Sequence, residues 1–196
     1  MGNQKPVVLN EKSKNRGRFF IALMPPLEVQ ARATEIKGVM RDRYHSKAAF
    51  RSPPHITLLA PFEWPVIDLS ALARSLADFA MTQPPVPITL DGFGAFAPHV
   101  IYVNVVQGDF LMALQPKLLA HLEESVGLVS ERDRNRSFVP HMTVAFRDLK
   151  PNMFRQAWSV FQHQEIHFDF TVYQLSLLVH DEQRWQVKEN YDFARL

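Results

Sequence analysis

Apolar residues recur along the chain in two rhythms, and the alternation between them predicts the order of elements. The run Phe19-Phe20-Ile21-Ala22-Leu23-Met24, closed by Pro25-Pro26, predicts a buried strand over 18–24. Val29, Ala33, Ile36, Val39 and Met40 then follow helical spacing, which predicts a helix over 27–44. A loop over 50–54 leads to a strand over 55–59, with Pro61 as its limit. Asp68 is placed to cap a helix over 69–81, whose inner face is Leu72, Leu76 and Phe79. Strands are predicted over 86–96, bent at Gly92 or Gly94, and over 100–106. Gly108-Asp109 opens a helix over 110–126 that stops at Gly127. An arginine-rich loop over 132–136, a strand over 138–146 and a helix over 152–161 come next, and strands over 165–171, 173–179 and 185–192 end the chain.

The resulting order is β-α-β-α-β-β-α-β-α-β-β-β, with no linker dividing it. Strand, helix, strand and helix recur in each half, so the pattern predicts a duplicated α+β fold of two related lobes with mostly antiparallel sheets. Residues 1–17 read as a flexible tail and 18–196 as one domain of two lobes. The chain has 196 residues, 46% hydrophobic and 21% charged, which suits a globular core and not a disordered chain. With no cysteine, disulfide frameworks and thiolate metal sites are excluded. Neither a long apolar span nor a signal-peptide core is visible, so a soluble, cytoplasmic protein is expected, with a monomer as the default.

The formal net charge of +2 conceals local imbalance. Residues 1–18 carry +4, 19–51 carry +3, 52–130 carry −5, 131–155 carry +3 and 156–196 carry −3. Solvated surface accounts for most charge runs, but the two inner basic segments lead up to or surround the one duplicated motif. That motif is Pro-His-apolar-Thr-apolar, present as Pro54-His55-Ile56-Thr57-Leu58 and Pro140-His141-Met142-Thr143-Val144. Chance placement of the chain's eight histidines and six threonines gives about 0.24 His-x-Thr occurrences. Residues two apart on a strand share a face, so each His would stand beside its Thr while Ile56, Leu58, Met142 and Val144 face the core. Two such strands would bring two imidazoles and two hydroxyls to one cavity. Imidazole exchanges protons near neutral pH, and hydroxyls donate to phosphate oxygens. The set suits cleavage of a phosphodiester.

At these residues the sequence resembles the 2H phosphoesterase superfamily, and within it the bacterial 2′-5′ RNA ligase-like branch. The 86-residue separation of His55 and His141 fits the resemblance, as does the order of elements from Phe19 to about Val179. The resemblance implies a bilobal, pseudo-twofold fold around a central cleft, and metal-independent chemistry on RNA-derived 2′,3′-cyclic phosphates or 2′-5′ linkages. It makes His55 and His141 the acid–base pair and Thr57 and Thr143 the phosphate ligands. No cofactor or metal is implied, and RNA ends or nucleotide cyclic phosphates are the expected substrates. Many relatives have an arginine five residues after the second histidine, where this chain has Phe146; Arg147 follows. On a continuing strand that shift reverses the face, so an Arg147 contact is not expected and Arg51 or Arg136 is the substitute. Phe62 and Phe146 are candidates for stacking on a base, with the core as the competing place for each.

Other histidines offer less. His163-Gln-Glu165-Ile-His167 has a metal-helix look, but it alternates like a strand. His45 and His121 read as helix-surface residues, and His180-Asp181 as a strand-end turn. Gly92-Phe93-Gly94 is too short for a phosphate loop, and no Lys-Ser/Thr nucleotide motif supports ATP-dependent ligation. The competing reading is an RNA- or nucleotide-binding module with little turnover, motivated by the basic segments.

Overall fold

Eight strands make two four-stranded antiparallel sheets within the residues that the computed structural model describes, 15–194 without 130 and 136. In chain order the elements are β1 (Arg16–Leu23), α1 (Leu27–Tyr44), β2 (Ile56–Pro65), α2 (Leu69–Ala80), β3 (Val86–Phe96), β4 (Val100–Val105), α3 (Asp109–Val126), α4 (Glu131–Arg134), β5 (His141–Ala145), α5 (Pro151–Phe161), β6 (His167–Val172), β7 (Gln174–His180) and β8 (Trp185–Asp192). One sheet has the order β2-β1-β7-β8 and the other β5-β4-β3-β6. The fold is α+β, as the pattern predicts, but the lobes are not the two sequence halves. The first sheet joins the N-terminal strands to the last two, and the second is built from the middle of the chain.

The two motif strands hold equivalent places. Each is an edge strand, β2 beside β1 and β5 beside β4, and the two edges approach one another across the molecule. The crossover helices bind the lobes together. Helix α1 connects strands of the first sheet yet lies against β5 of the second, while α3 connects strands of the second sheet and lies against both β2 and β3. Ile56, Leu58, Met142 and Val144 are buried, so the apolar face of each motif strand enters the core and its polar face turns outward.

Several boundaries differ from the pattern, each for a local reason. Strand β1 begins at Arg16, because Arg16 pairs with Pro65 and its guanidinium donates to the Glu63 carbonyl at 2.8 Å. The expected tail over residues 1–14 lies outside the described residues. Pro61 does not end β2, which runs on to Pro65. An edge strand tolerates proline, and the register slips between Phe19–Phe62 and Ile21–Leu59 where Pro61 sits. Strand β5 is shorter than predicted, since Pro140 lacks an N–H and the ladder starts at the Asn104–His141 pair. Asp68 stands at the head of α2 without a side-chain cap; its carbonyl instead accepts from Trp64 Nε1 at 3.0 Å. The expected loop over 132–136 contains α4, where Arg134 reaches Glu123 of α3 at 3.2 Å. Arg136 lies outside the described residues. His121 is not a free surface group: its Nε2 meets the Ser75 carbonyl at 2.9 Å between α2 and α3.

Of the two glycines offered for the β3 bend, Gly92 makes it, with φ +65° and a register shift between Leu90 and Phe93. Gly94 serves differently. A Cβ there would stand 2.3 Å from the Tyr102 ring, so only glycine lets that ring lie across the strand. Tyr102 in turn backs His141.

Candidate active site

His55 sits at the end of the loop that precedes β2, and His141 is the first residue of β5. Each imidazole is tied in the same way. His55 Nδ1 lies 2.7 Å from the Pro53 carbonyl, and His141 Nδ1 lies 2.7 Å from the Val139 carbonyl. A carbonyl oxygen only accepts, so both Nδ1 atoms carry the hydrogen and the lone pair of each neutral ring is on Nε2. The ring faces are supported too. Phe20 of β1 packs against His55 at 4.6 Å between centroids, and Phe96 and Tyr102 both pack against His141 at 5.0 Å. The shared spacing of the motifs thus becomes a shared geometry, built from two separate sheets.

Between them lies a cleft of two adjoining cavities. The larger, about 620 Å³, is lined by His55, Thr57 and Thr143 together with Arg18, Arg51 and Arg147. The smaller, about 470 Å³, is lined by His141, Thr57, Phe96 and Phe138. Thr57, Pro61 and Phe146 line both. Burial holds the His55 imidazole well below its ordinary range, down to about 4; its bond to Pro53 opposes this, and repulsion from Lys37 and His141 adds to it. The two histidines are therefore close enough to sense each other's charge, and a proton on one disfavours a proton on the other. Two coupled imidazoles with fixed tautomers can act as a proton acceptor and a proton donor on a group held between them.

A model of the 2′-5′ RNA ligase superfamily matches residues 25–184 of this sequence. The chain belongs to this superfamily of 2H phosphoesterases. A "Putative phosphoesterase" of Geobacillus kaustophilus (strain HTA426) is 33% identical over 177 residues, covering 89% of this chain and 95% of that protein. A second, from Geobacillus thermodenitrificans (strain NG80-2), is 32% identical over 179 residues, with 89% and 95% covered. Among solved structures, E. coli LigT complexed with 3′-AMP aligns with a TM-score of 0.68 at 20% identity, covering 92% of this chain and all of that one. TT0787 of Thermus thermophilus aligns at 0.64 and 22%, covering 90% and 97%. These structural likenesses show that the 2H phosphoesterase fold is shared.

The cleft of this 2H phosphoesterase brings together most of the residues the motifs single out. Thr57, Thr143, Arg51 and Phe146 line it with the two histidines. Phe62 does not; it pairs with Phe19 across β1 and β2, ring centroids 6.2 Å apart, and packs on the core. Arg147 corrects the strand-parity expectation. Strand β5 ends at Ala145, Arg147 takes a left-handed φ of +63°, and its guanidinium lies over the Phe146 ring at 5.3 Å. Alternation does not apply beyond the last paired residue, so both side chains reach the cleft.

Sequence reasoning missed one wall entirely. Trp185 opens β8, with Phe20 and His180 edge-on to it at 4.8 and 4.9 Å and the Arg18 guanidinium over its ring at 5.6 Å. Glu182 and Gln183, at the tip of the β7–β8 hairpin, line the same cavity. Asp181 sets that tip by accepting from the Gln183 and Arg184 amides. Asp148 ties the two motif loops together. Its carboxylate accepts from Ser46 Oγ at 2.8 Å and from the Lys47 and Ala48 amides at 3.0 Å each, fixing the turn that carries Arg51 beside the loop that carries Arg147. Among the described arginines of the two inner basic segments, Arg51 and Arg147 line the cleft. Arg32 and Arg41, in the same stretch, pair with Glu35 and Asp42 at the surface.

Proposed function

We propose that this 2H phosphoesterase opens RNA-type 2′,3′-cyclic phosphates by acid–base catalysis between His55 and His141, with Thr57 and Thr143 holding the phosphate. The observation that carries this reading is the matched pair of imidazoles, each with Nδ1 fixed by a carbonyl two residues earlier, beside both threonines of one cleft. One imidazole takes a proton from water as its oxygen bonds to phosphorus. The bond from phosphorus to one ribose oxygen breaks, and the other imidazole gives that oxygen a proton. Water is consumed and a nucleoside monophosphate results. The reverse reaction, with an RNA hydroxyl in place of water, would join 2′-5′ ends.

Arg51, one of the two arginines expected there, and Arg147 supply positive charge for the phosphate. The wall around Trp185 suits a stacked base. A nucleotide is also what the LigT crystal holds. RNA ends or nucleotide cyclic phosphates are the substrates, and the chain acts in the cytoplasm as a monomer.

The test is product analysis. Chelator-treated protein is incubated with each of the four nucleoside 2′,3′-cyclic phosphates. Conversion to a single monophosphate isomer is expected. Tight, salt-sensitive RNA binding with no turnover of any of the four would favour the binding-module reading instead.

A further inference from the structure

Lys37 is a charge where the helical pattern calls for an apolar residue. It lies on α1 with Ala33, Met40 and Tyr44, and is 2% exposed, while Val39, the residue expected there, is 37% exposed. No carboxylate pairs with it among the described residues. Asp148, the nearby acid that binds the turn after α1, is taken up by Ser46 Oγ and two amides. Lys37 Nζ instead donates to the Ser52 carbonyl at 2.9 Å. Burying an unpaired ammonium is costly, and an apolar side chain of that length would avoid the cost.

The place of that bond explains why it is kept. Ser52 immediately precedes Pro53, whose carbonyl receives His55 Nδ1–H. We propose that Lys37 is a positioning residue which anchors the 52–55 loop from behind, and so fixes the Pro53 carbonyl that orients the His55 ring. The role rests on the acid–base reading of the two histidines.

The electrostatics agree in direction. Lys37 is among the charges that lower His55, and burial brings Lys37 itself down to about 8, still a cation at neutral pH. Among the described residues, the other charged or titratable groups around His55 are His141 from β5, and those that line its cavity: Arg18 from β1, Arg51 from the turn after α1, Arg147 after β5, and His180 and Glu182 from the β7–β8 hairpin. Glu182, the one acid among them, lies on the exposed hairpin tip.

Lys37→Met and Lys37→Gln test the proposal. Met removes donor and charge, and Gln keeps a donor without the charge. The His55 ring is followed by NMR titration, which needs no turnover, and melting temperature and kcat are measured alongside. In Lys37→Met the His55 midpoint is expected to rise by about half a pH unit. Its kcat should fall about tenfold with KM little changed, and its melting temperature should hold or rise. Lys37→Gln should show the same rise in midpoint with a smaller loss of kcat, and it answers the question if the Met variant fails to fold. An unmoved His55 midpoint in a folded variant, or a lowered melting temperature with unchanged kcat, would overturn the proposal in favour of a structural lysine. If the midpoint moves as stated but wild-type protein turns over no cyclic phosphate, the proposed function fails and the role of Lys37 in setting His55 stands.

Discussion

His55 couples the chemistry of the cleft to the stability of the fold, and acid denaturation reads that coupling. In the unfolded chain its imidazole titrates near an ordinary value of about 6.5. In the fold burial holds it near 4. Because the folded value is the lower one, the unfolded state binds the extra proton between the two. Stability from this group is complete above about pH 6.5 and is lost as pH falls towards 4. Between pH 7 and pH 4.5 the loss integrates to roughly 2 kcal/mol. His55→Asn removes the titration while leaving an amide donor for the Pro53 carbonyl. Urea unfolding of both proteins at the two pH values reads the difference. The wild type should lose roughly 2 kcal/mol more than the variant on acidification. An equal acid loss in the two would refute a half-buried His55 held neutral by its surroundings.

Three further outcomes follow from the walls of the cleft. Arg147→Met should lower kcat/KM about tenfold or more through a lost charge-assisted phosphate contact, with the melting temperature nearly unchanged, as steady-state kinetics will show. Trp185→Ala should raise KM for a nucleoside cyclic phosphate about tenfold and leave kcat within a few-fold, the sign of a lost stacking surface and not of lost chemistry. Gly94→Ala should cost about 1–3 kcal/mol in urea unfolding, because its Cβ meets the Tyr102 ring, and should reduce kcat as well, because that ring supports His141.

What could be read from the sequence, and what could not, divides along physical lines. The span of α1 and the stop of α3 at Gly127 were legible, because periodicity and a left-handed cap act locally. The His-x-Thr pairs were legible because a strand converts two-residue spacing into a shared face, which the burial of Ile56, Leu58, Met142 and Val144 bears out. Arg147 departs from strand parity because β5 ends at Ala145 and Arg147 has a positive φ. Pro61 was misjudged because its effect depends on whether the strand is an edge, and that is a property of the sheet. Lys37 reads as solvated from its charge, although helical spacing puts it on the inner face of α1; the packing of α1 against the second lobe buries it. The wall built on Trp185 was invisible for the same reason. Nothing within the β7–β8 hairpin says which cleft its tip faces, and the pairing of β7 with β1 decides it.

The proposed function requires that two histidines, from two sheets, share one proton-transfer cycle on a phosphodiester. Its most direct measurement is the hydrolysis of a nucleoside 2′,3′-cyclic phosphate by chelator-treated wild type, His55→Ala and His141→Ala, each shown to be folded by its melting temperature. Turnover by the wild type is expected to be indifferent to the chelator, with a loss of at least about 100-fold in kcat for each variant. Wild-type rates in either folded variant would contradict it.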